Sequence, residues 1–200
     1  MRHNETRKFC IDASAAIQNL RVPRHRSAVH LFYLFCLSTL TGADHYVKGV
    51  YYELTLYMDL WNNEIVSHAL SARRGDRMTY ISGLEDLIAL KKLLPDHQMI
   101  LHSDQGSVYS SKSFNELLPM YGITRSMSRA GTPTDNAAME AINGWIKAEL
   151  FTDLHVTGDK PVREEVDEYI VFFNELRPAY ALNYLTPKQY RESFSPTLGV

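Results

Sequence analysis

The chain has 200 residues, enough for one domain with a sizeable core, and a globular composition of 45% hydrophobic and 22% charged residues. Its formal net charge of −2 excludes the strong basic field of a dedicated nucleic-acid-binding module, but is compatible with an enzyme core that has an acidic site. The two cysteines, Cys10 and Cys36, form no CxxC motif, which argues against a zinc site or a disulfide framework and favours a reducing, cytoplasmic setting.

The first pronounced feature is the apolar segment SAVHLFYLFCLSTL, residues 27–40. It is too short to span a bilayer, and it begins too far along the chain for an ordinary signal peptide. We therefore predict a buried strand or helix here and no membrane association.

A hairpin is predicted next. Residues 50–60, VYYELTLYMDL, alternate between an apolar face and a face that carries Glu53, Tyr57 and Asp59, which is typical of a half-buried strand. The sequence WNNE supplies turn residues, and IVSHALSA returns as the second strand.

The middle of the chain predicts a helix followed by a strand. Residues 75–95 have helical spacing, with Asp76 as N-cap, Lys91 and Lys92 in the last turn, and Pro95 at the end. The following QMILHSD is a short apolar strand that stops at Asp104.

The remaining elements alternate in type. SKSFNELLPMYG predicts a helix that Pro119 kinks or ends early, with Gly122 as the stop, and ITRSMS predicts a strand. Asp135 is placed to cap a helix that runs to about Phe151, and a last helix begins at Pro161. Hairpin, helix, strand, helix, strand and helices in this order predict a mixed α/β fold, with a sheet covered by helices.

The helix after Asp135 has an apolar stripe and a polar stripe. At 100° per residue the apolar stripe contains Met139, Ile142, Ile146 and Leu150. Glu140 lies instead on the polar stripe, with Asn136, Asn143, Gly144 and Lys147. Taken singly, Glu140 is typical of a solvated surface acid and Asp104 of a turn after a strand.

Together with their surroundings, the two acids carry a resemblance. The motifs HSDQGSVYSSKSF, YGITRSMSRAGTPTDNAAMEAINGWIKAEL and YIVFFNELRPAYALNYLTPKQY resemble the integrase-like core of bacterial insertion-sequence transposases, relatives of retroviral integrases. YVKGVYYELTLYMDLWNNEIVSHAL resembles the opening hairpin of that family, so the resemblance covers roughly residues 46–192. It implies an RNase H-like fold and a triad of two aspartates and a glutamate, of which Asp104 and Glu140 match the second and third members, with 35 residues between them.

The resemblance also implies a chemistry. DNA cleavage and strand transfer are in-line displacements at phosphorus, which two divalent ions about 3.5–4 Å apart can assist. The resemblance implies Mg²⁺ or Mn²⁺ as cofactor, as a pair of ions in the family's manner, since hard cations prefer carboxylate oxygens.

The first carboxylate departs from the family pattern. The family has an aspartate in a TDIT-like strand directly before YVKG, and an ungapped alignment places it at Ala43, with Asp44 one residue late. A one-residue slip turns a side chain to the other face of a strand, which a bulge can reverse. Asp44 is the candidate third metal ligand and catalytic residue, and Asp59 a weaker substitute.

Residues 1–45 do not resemble the family's approach to its first strand, so we separate them as an atypical segment from an integrase-like domain at 46–195. An altered reading frame upstream of residue 46 and a divergent head are the two explanations. The family's helix-turn-helix is not visible, which suggests a separate subunit or a lost segment.

Three basic residues are candidate contacts to DNA phosphates: Lys147, Arg125 and Arg129, for each of which a solvated side chain is the alternative. His102 lies two residues before Asp104 and so shares its strand face; it is either a packed histidine or a residue that tunes the site. Trp61 and Trp145 are interpreted as packing residues.

We therefore expect a transposase catalytic domain that acts on transposon ends and target DNA as a homo-oligomer, with impaired activity if the first carboxylate is misplaced. Two alternatives stay open. A nuclease that cuts without joining is opposed by the segment from Arg177 to Tyr190, which resembles transposases specifically. An inactive remnant that retains DNA or partner binding is favoured by the misplaced first carboxylate.

Overall fold

A computed structural model describes residues 29–38, 52–73, 75–103, 112–128, 137–150 and 160–194, with the backbone alone at 29–38, 113 and 137–140. The strands are β1 Val29–Ser38, β2 Glu53–Asp59, β3 Glu64–Ser71, β4 Gln98–Ser103 and β5 Ile123–Met127. The helices are α1 Arg77–Leu93, α2 Lys112–Met120, α3 Ala137–Ala148, α4 Val162–Glu175 and α5 Pro187–Ser193. This order confirms the predicted mixed α/β fold.

The strands form one sheet in the order β3-β2-β1-β4-β5. β2 pairs antiparallel with both β1 and β3, whereas β4 pairs parallel with both β1 and β5. The predicted hairpin is confirmed, and Asn63 in its turn has a left-handed φ of 56°, a conformation that asparagine tolerates.

The apolar segment near the start of the chain forms the middle strand of this sheet. β1 pairs with β2 on one side and β4 on the other, from Val29 opposite Gln98 to Ser38 opposite Glu53. The strand next to β4 therefore lies within residues 29–38, several residues before the alignment position Ala43. Its sequence VHLFYLFCLS is rich in β-branched, aromatic and aliphatic residues, which suit a strand paired on both sides.

The half-buried strand predicted for residues 50–60 is wrong in its burial, because all seven residues of β2 are buried. Leu54, Leu56 and Met58 pack against α3 and α4, as the alternation predicts. The other face is covered by α1: the Tyr57 hydroxyl donates to the Tyr80 carbonyl at 2.6 Å. A helix that packs on the second face cannot be read from the alternation within the strand.

The sheet is thus covered on both faces. α3 and α4 pack on one face, where Ile146, Leu150, Val166, Tyr169 and Phe173 are buried. α1 and α2 pack on the other face, where the buried residues include Leu84, Leu87, Phe114 and Leu118. The apolar stripe predicted for α3 is confirmed at Ile146 and Leu150.

Local signals at the helix ends are confirmed as well. The Asp76 side chain accepts a hydrogen bond from the Met78 amide at 3.1 Å and caps α1. α2 ends one residue after Pro119, and Gly122 then adopts a left-handed φ of 67°. At Gly83 of α1, an added Cβ atom would lie 2.1 Å from the ring of Tyr57, so only glycine permits this close helix–strand approach.

The hairpin end of the sheet, residues 60–65, is fastened by the last turn of α4 and by the tail that follows it, residues 176–194. The Asn174 amide both donates to the Ile65 carbonyl and accepts from the Ile65 N–H, each at 2.9 Å, as a neighbouring strand would. Arg191 of α5 forms a buried ion pair with Glu64, whose other oxygen accepts from Asn62 at 2.8 Å. These contacts tie the tail to the edge of the sheet.

Aromatic contacts strengthen the same end. The ring of Trp61 lies 5.5 Å from that of Tyr190 and 5.3 Å from that of Phe194, in edge-to-face geometry. Trp61 is therefore a packing residue, as predicted. Because β2 runs antiparallel to β1 and β4, the hairpin end lies where β1 and β4 begin.

Candidate active site

The carboxylate end of the sheet is the opposite end, where β4 and β5 finish. The last residue of β4 is Ser103, and Asp104 follows it directly. The Ser128 amide, just after β5, donates to the Ser103 carbonyl at 3.1 Å. β4 and β5 therefore end side by side. After β4 the chain continues into Asp104, and after β5 it continues toward α3. Asp104 itself lies outside the described residues.

α3 carries the second predicted acid, Glu140. Glu140 is in the first turn of α3, which begins at Ala137, and its side chain lies outside the description. Ile146 and Leu150 are fully buried on the sheet, which fixes which side of α3 faces inward. The apolar stripe predicted beside Glu140 is confirmed at these two residues, while metal binding by Glu140 stays a prediction.

His102 occupies the penultimate position of β4 and is buried. Its Nδ1 lies 2.9 Å from the Ser126 hydroxyl, and its Nε2 lies 3.0 Å from the Ser128 hydroxyl. Met99 and Leu101 pack toward α1 and α2, so strand alternation directs His102 to the face on which α3 and α4 pack. The interpretation of His102 as a packed residue is confirmed, and its two serine partners are new.

The first strand supplies no acid at this end. The β1–β4 register ends with Tyr33 opposite His102, which lies two residues before Asp104 in the sequence. β1 has the sequence VHLFYLFCLS, which contains no aspartate or glutamate. Asp44 lies outside the described residues, and it is the one acid in the sequence between the end of β1 and the start of β2.

The weaker substitute, Asp59, is at the wrong end. It closes β2 at the hairpin end, where it is buried and accepts a hydrogen bond from the Trp61 amide at 2.9 Å. This position turns the chain into the hairpin and is remote from the end at which β4 finishes.

The candidate DNA-contacting residues lie on separate elements. Lys147 is in the last turn of α3, two helical turns after Glu140 and on the same side of the helix. Arg125 is on the edge strand β5, half-buried, and burial lowers the pKa of its guanidinium. Its Nε finds no hydrogen-bond partner among the described residues, while one terminal nitrogen contacts the Met127 sulfur at 2.7 Å. Arg129 lies outside the described residues.

The second tryptophan differs from the first. Trp145 on α3 is 57% exposed, so it is not a core packing residue. The guanidinium of Arg177 lies 6.0 Å from its ring centroid and also pairs with Glu149, just after α3, at 2.6 Å. These contacts connect the end of α3 to the tail.

The described residues contain neither a group of metal ligands nor a membrane-spanning helix. Within that part of the chain, no three histidine, cysteine, aspartate or glutamate residues are grouped as metal ligands. The predicted ligands are Asp44, Asp104 and Glu140, and their side chains are not among those that the structure describes. None of the helices described is long and apolar enough to cross a membrane.

Sequence comparisons agree with the geometry. Residues 121–187 match the family model described as an integrase core domain. InsK of insertion sequence element IS150 of Escherichia coli is 37% identical over 145 residues, which are 72% of this chain and 50% of InsK. The transposase for insertion sequence element IS904 of Lactococcus lactis is 33% identical over 146 residues, 72% of this chain and 56% of the relative.

The chain is thus similar to insertion-sequence transposases, and part of it matches an integrase core domain. It spans about half the length of these curated relatives. The HTLV-2 integrase catalytic core domain, solved in complex with magnesium, has a TM-score of 0.59 at 18% identity and covers 81% of this chain and 95% of its own. A simian T-cell lymphotropic virus intasome structure has a TM-score of 0.66 at 19% identity, over 90% of this chain and 59% of the other. These likenesses confirm the RNase H-like fold.

Proposed function

We propose that the chain is the catalytic domain of an insertion-sequence transposase, which cleaves DNA and transfers strands with divalent metal held by Asp104 and Glu140. The observation that carries the proposal is the hydrogen bond from the Ser128 amide to the Ser103 carbonyl, which joins the ends of β4 and β5. The chain leaves this join directly into Asp104 on one side and toward α3, with Glu140 in its first turn, on the other.

The donor set fits the metal that the family implies. Asp104 and Glu140 are carboxylates, the ligands that Mg²⁺ and Mn²⁺ prefer, and both come from the ends of elements rather than from the core. Such ions, two in the family's scheme, activate an attacking oxygen and stabilise a leaving oxygen at phosphorus. The protein's own contribution is to hold the two carboxylates in place before the ions arrive.

The third ligand is where the chain departs from its relatives. β1, the strand next to β4, has no acid, so Asp44 in the link to β2 is the candidate for this role. A carboxylate outside the strand is less firmly placed than one on it, and the second ion is then weakly held. We therefore propose low activity relative to a transposase with a complete triad.

Substrate and partners follow from the same function. Transposon ends and target DNA are the proposed substrates, and Lys147, Arg125 and Arg129 are the proposed contacts to phosphates. The proposed assembly on DNA is a homo-oligomer, with a separate helix-turn-helix subunit as a further proposed partner. The setting is the cytoplasm, and the catalytic domain at 46–195 takes its first strand from the segment 1–45.

Calorimetric titration with Mn²⁺ and Mg²⁺ tests this proposal directly. Asp104→Asn and Glu140→Gln should each weaken binding while the melting temperature stays the same, because both acids are at the ends of elements: Asp104 follows β4 directly and Glu140 is in the first turn of α3. Asp96→Asn and Glu116→Gln make the same chemical changes at exposed positions and should bind metal like wild type. Equal affinity in wild type and in both site variants would show that these acids are not ligands.

A further inference from the structure

The hydrogen bonds of His102 connect three parts of the carboxylate end. His102 lies on β4 two residues before Asp104, Ser126 lies on β5, and Ser128 is the first residue after β5. All three are polar, and His102 and Ser128 are buried at 8% exposure each. A buried imidazole that bonds through both nitrogens has its ring plane and its rotation fixed.

The two serine contacts are not equivalent. Ser126 is paired with His102 in the β4–β5 ladder, so the strand pairing itself keeps that residue in place. Ser128 lies beyond the last ladder pair, which is Ser103 with Met127. It is held by the hydrogen bond from its backbone N–H to the Ser103 carbonyl and by the contact of its hydroxyl with His102 Nε2. The imidazole therefore fastens the point at which the chain leaves β5 toward α3.

The chemistry of this contact does not depend on one imidazole tautomer. A hydroxyl both donates and accepts, so either neutral tautomer can donate to one serine and accept from the other. The network needs an imidazole that reaches both ways, or a side chain that reproduces the contact to Ser128.

We propose that His102 is a positioning residue for the metal-binding carboxylates. This proposal rests on the function proposed above. His102 holds the chain just after β5, where it continues toward Glu140, against the end of β4, which continues into Asp104. The partners of metal ligands have this kind of effect in other sites, where their loss typically costs 10–100-fold in metal affinity or activity.

The test measures Mn²⁺ affinity by calorimetry without DNA, beside the melting temperature. Ser128→Ala is expected to lower the affinity about tenfold, at the lower end of that range, and His102→Ala by at least as much. Ser126→Ala is the matched control, because it removes the same hydroxyl where the ladder holds the backbone, and it should lower the affinity less than threefold, roughly. Asn174→Ala controls for lost stability, since its contacts are at the hairpin end.

Rescue separates positioning from packing. His102→Gln places an amide near the position of Nε2 and can still reach Ser128, whereas His102→Asn places it near Nδ1 and reaches Ser126. We expect glutamine to restore most of the Mn²⁺ affinity lost in the alanine variant, and asparagine to restore less. In a strand-transfer assay, the Mn²⁺ concentration for half-maximal rate should shift in the same order while the KM for DNA stays constant.

The outcomes are distinct. Wild-type Mn²⁺ affinity in Ser128→Ala and His102→Ala, with a loss in Asp104→Asn, would overturn the role of His102 and leave the proposed function standing. Losses that follow the melting temperature, with Asn174→Ala affected equally, would reduce His102 to a structural residue. Wild-type protein that binds no Mn²⁺ would overturn both proposals. If His102→Ala fails to fold, the two serine variants decide the matter.

Discussion

The two ends of the sheet are held in different ways. At the hairpin end, a buried ion pair between Glu64 and Arg191, the Asn174 amide and an aromatic cluster around Trp61 join the tail to the strands. At the carboxylate end, the described fastening is one imidazole, two serine hydroxyls and a backbone hydrogen bond. The fold is thus anchored far from the proposed chemistry, so the acids can change without unfolding the domain.

The largest expected effect comes from adding a carboxylate to β1 at the carboxylate end. Phe35→Asp places an acid on β1 two residues after Tyr33, which pairs with His102, just as Asp104 follows His102 by two residues in the sequence. The loss of one transition-state stabiliser commonly costs about 10²–10³ in rate, so restoring one should raise weak strand transfer toward that extent. Oligonucleotides that carry the element's ends measure the rate, and thermal melting checks that a charged residue is tolerated in the middle strand of the sheet.

Two variants of the link after β1 are the controls for that prediction. Ala43→Asp follows the ungapped alignment and Asp44→Asn removes the acid already present. With the strand at 29–38, we expect Ala43→Asp to change the rate by no more than about threefold. Asp44→Asn should lower the rate by less than the roughly 10²–10³ of a firmly placed ligand, because Asp44 lies outside β1. Robust wild-type activity that Asp44→Asn abolishes would show that Asp44 already completes the site. A rate raised by Ala43→Asp alone would favour the alignment over the β1 register.

Next in size is a loss of stability at the hairpin end. Arg191→Met leaves the Glu64 carboxylate buried without its cation, and breaking a buried pair in this way costs about 3–5 kcal/mol. Urea unfolding measures this loss. Replacing both partners, Glu64→Leu with Arg191→Met, should recover most of it, because an apolar pair carries no desolvation cost. At a temperature where Arg191→Met is folded, its Mn²⁺ affinity should equal that of wild type; a lower affinity would contradict the separation of the two ends.

A smaller loss is expected for Asn174→Ala at the same end. The substitution removes both hydrogen bonds between Asn174 and the Ile65 backbone. The Ile65 N–H and carbonyl, on the edge of β3, lose these contacts, which lowers the free energy of unfolding by about 1–3 kcal/mol. Asn174→Asp is the informative companion variant, since it retains the acceptor for the Ile65 N–H and loses the donor to the carbonyl. It should lie between alanine and wild type in denaturant unfolding, and an alanine variant as stable as wild type would remove Asn174 from the anchor.

The smallest effect belongs to Asp86, which lies on α1 between the two ends. Burial raises the pKa of its carboxyl, and the hydrogen bond from the Ser67 hydroxyl at 2.6 Å opposes this in part. Because the folded pKa is raised, the contribution to stability is fully present below the unfolded pKa, about 3.9, and is lost as the pH rises through the folded value. Asp86→Asn should therefore gain stability relative to wild type between pH 3.5 and pH 7, to the order of the shift. A difference independent of pH would contradict this.

Local signals in the sequence predicted the elements well, but not the contacts between them. The hairpin, the cap at Asp76 and the buried stripe at Ile146 and Leu150 depend on neighbours within a turn or a strand, and all are confirmed. Burial of both faces of β2 depends on α1, and the Asn174 contact joins residues 109 apart in sequence, so no local pattern could predict either.

The site divides in the same way. Asp104 and Glu140 were identified from their motifs and spacing, and their role as ligands stays a prediction. The partners of His102 are 24 and 26 residues away, and serine alone carries no signal for such a contact. That the strand beside β4 has no acid was also beyond the sequence, because the alignment placed that strand near Ala43 while pairing on both sides selects the apolar residues 29–38.

The most direct test of the account is a crystal structure of the wild-type protein grown with Mn²⁺, with the ion located by anomalous scattering. We predict one peak that contacts an oxygen of Asp104 and an oxygen of Glu140, with these two oxygens no more than about 4–6 Å apart, allowing for ordinary ligand distances. Carboxyl oxygens separated by more than about 10 Å, with no ion between them, would contradict the proposed site, since a single ion could not bind both at such a distance.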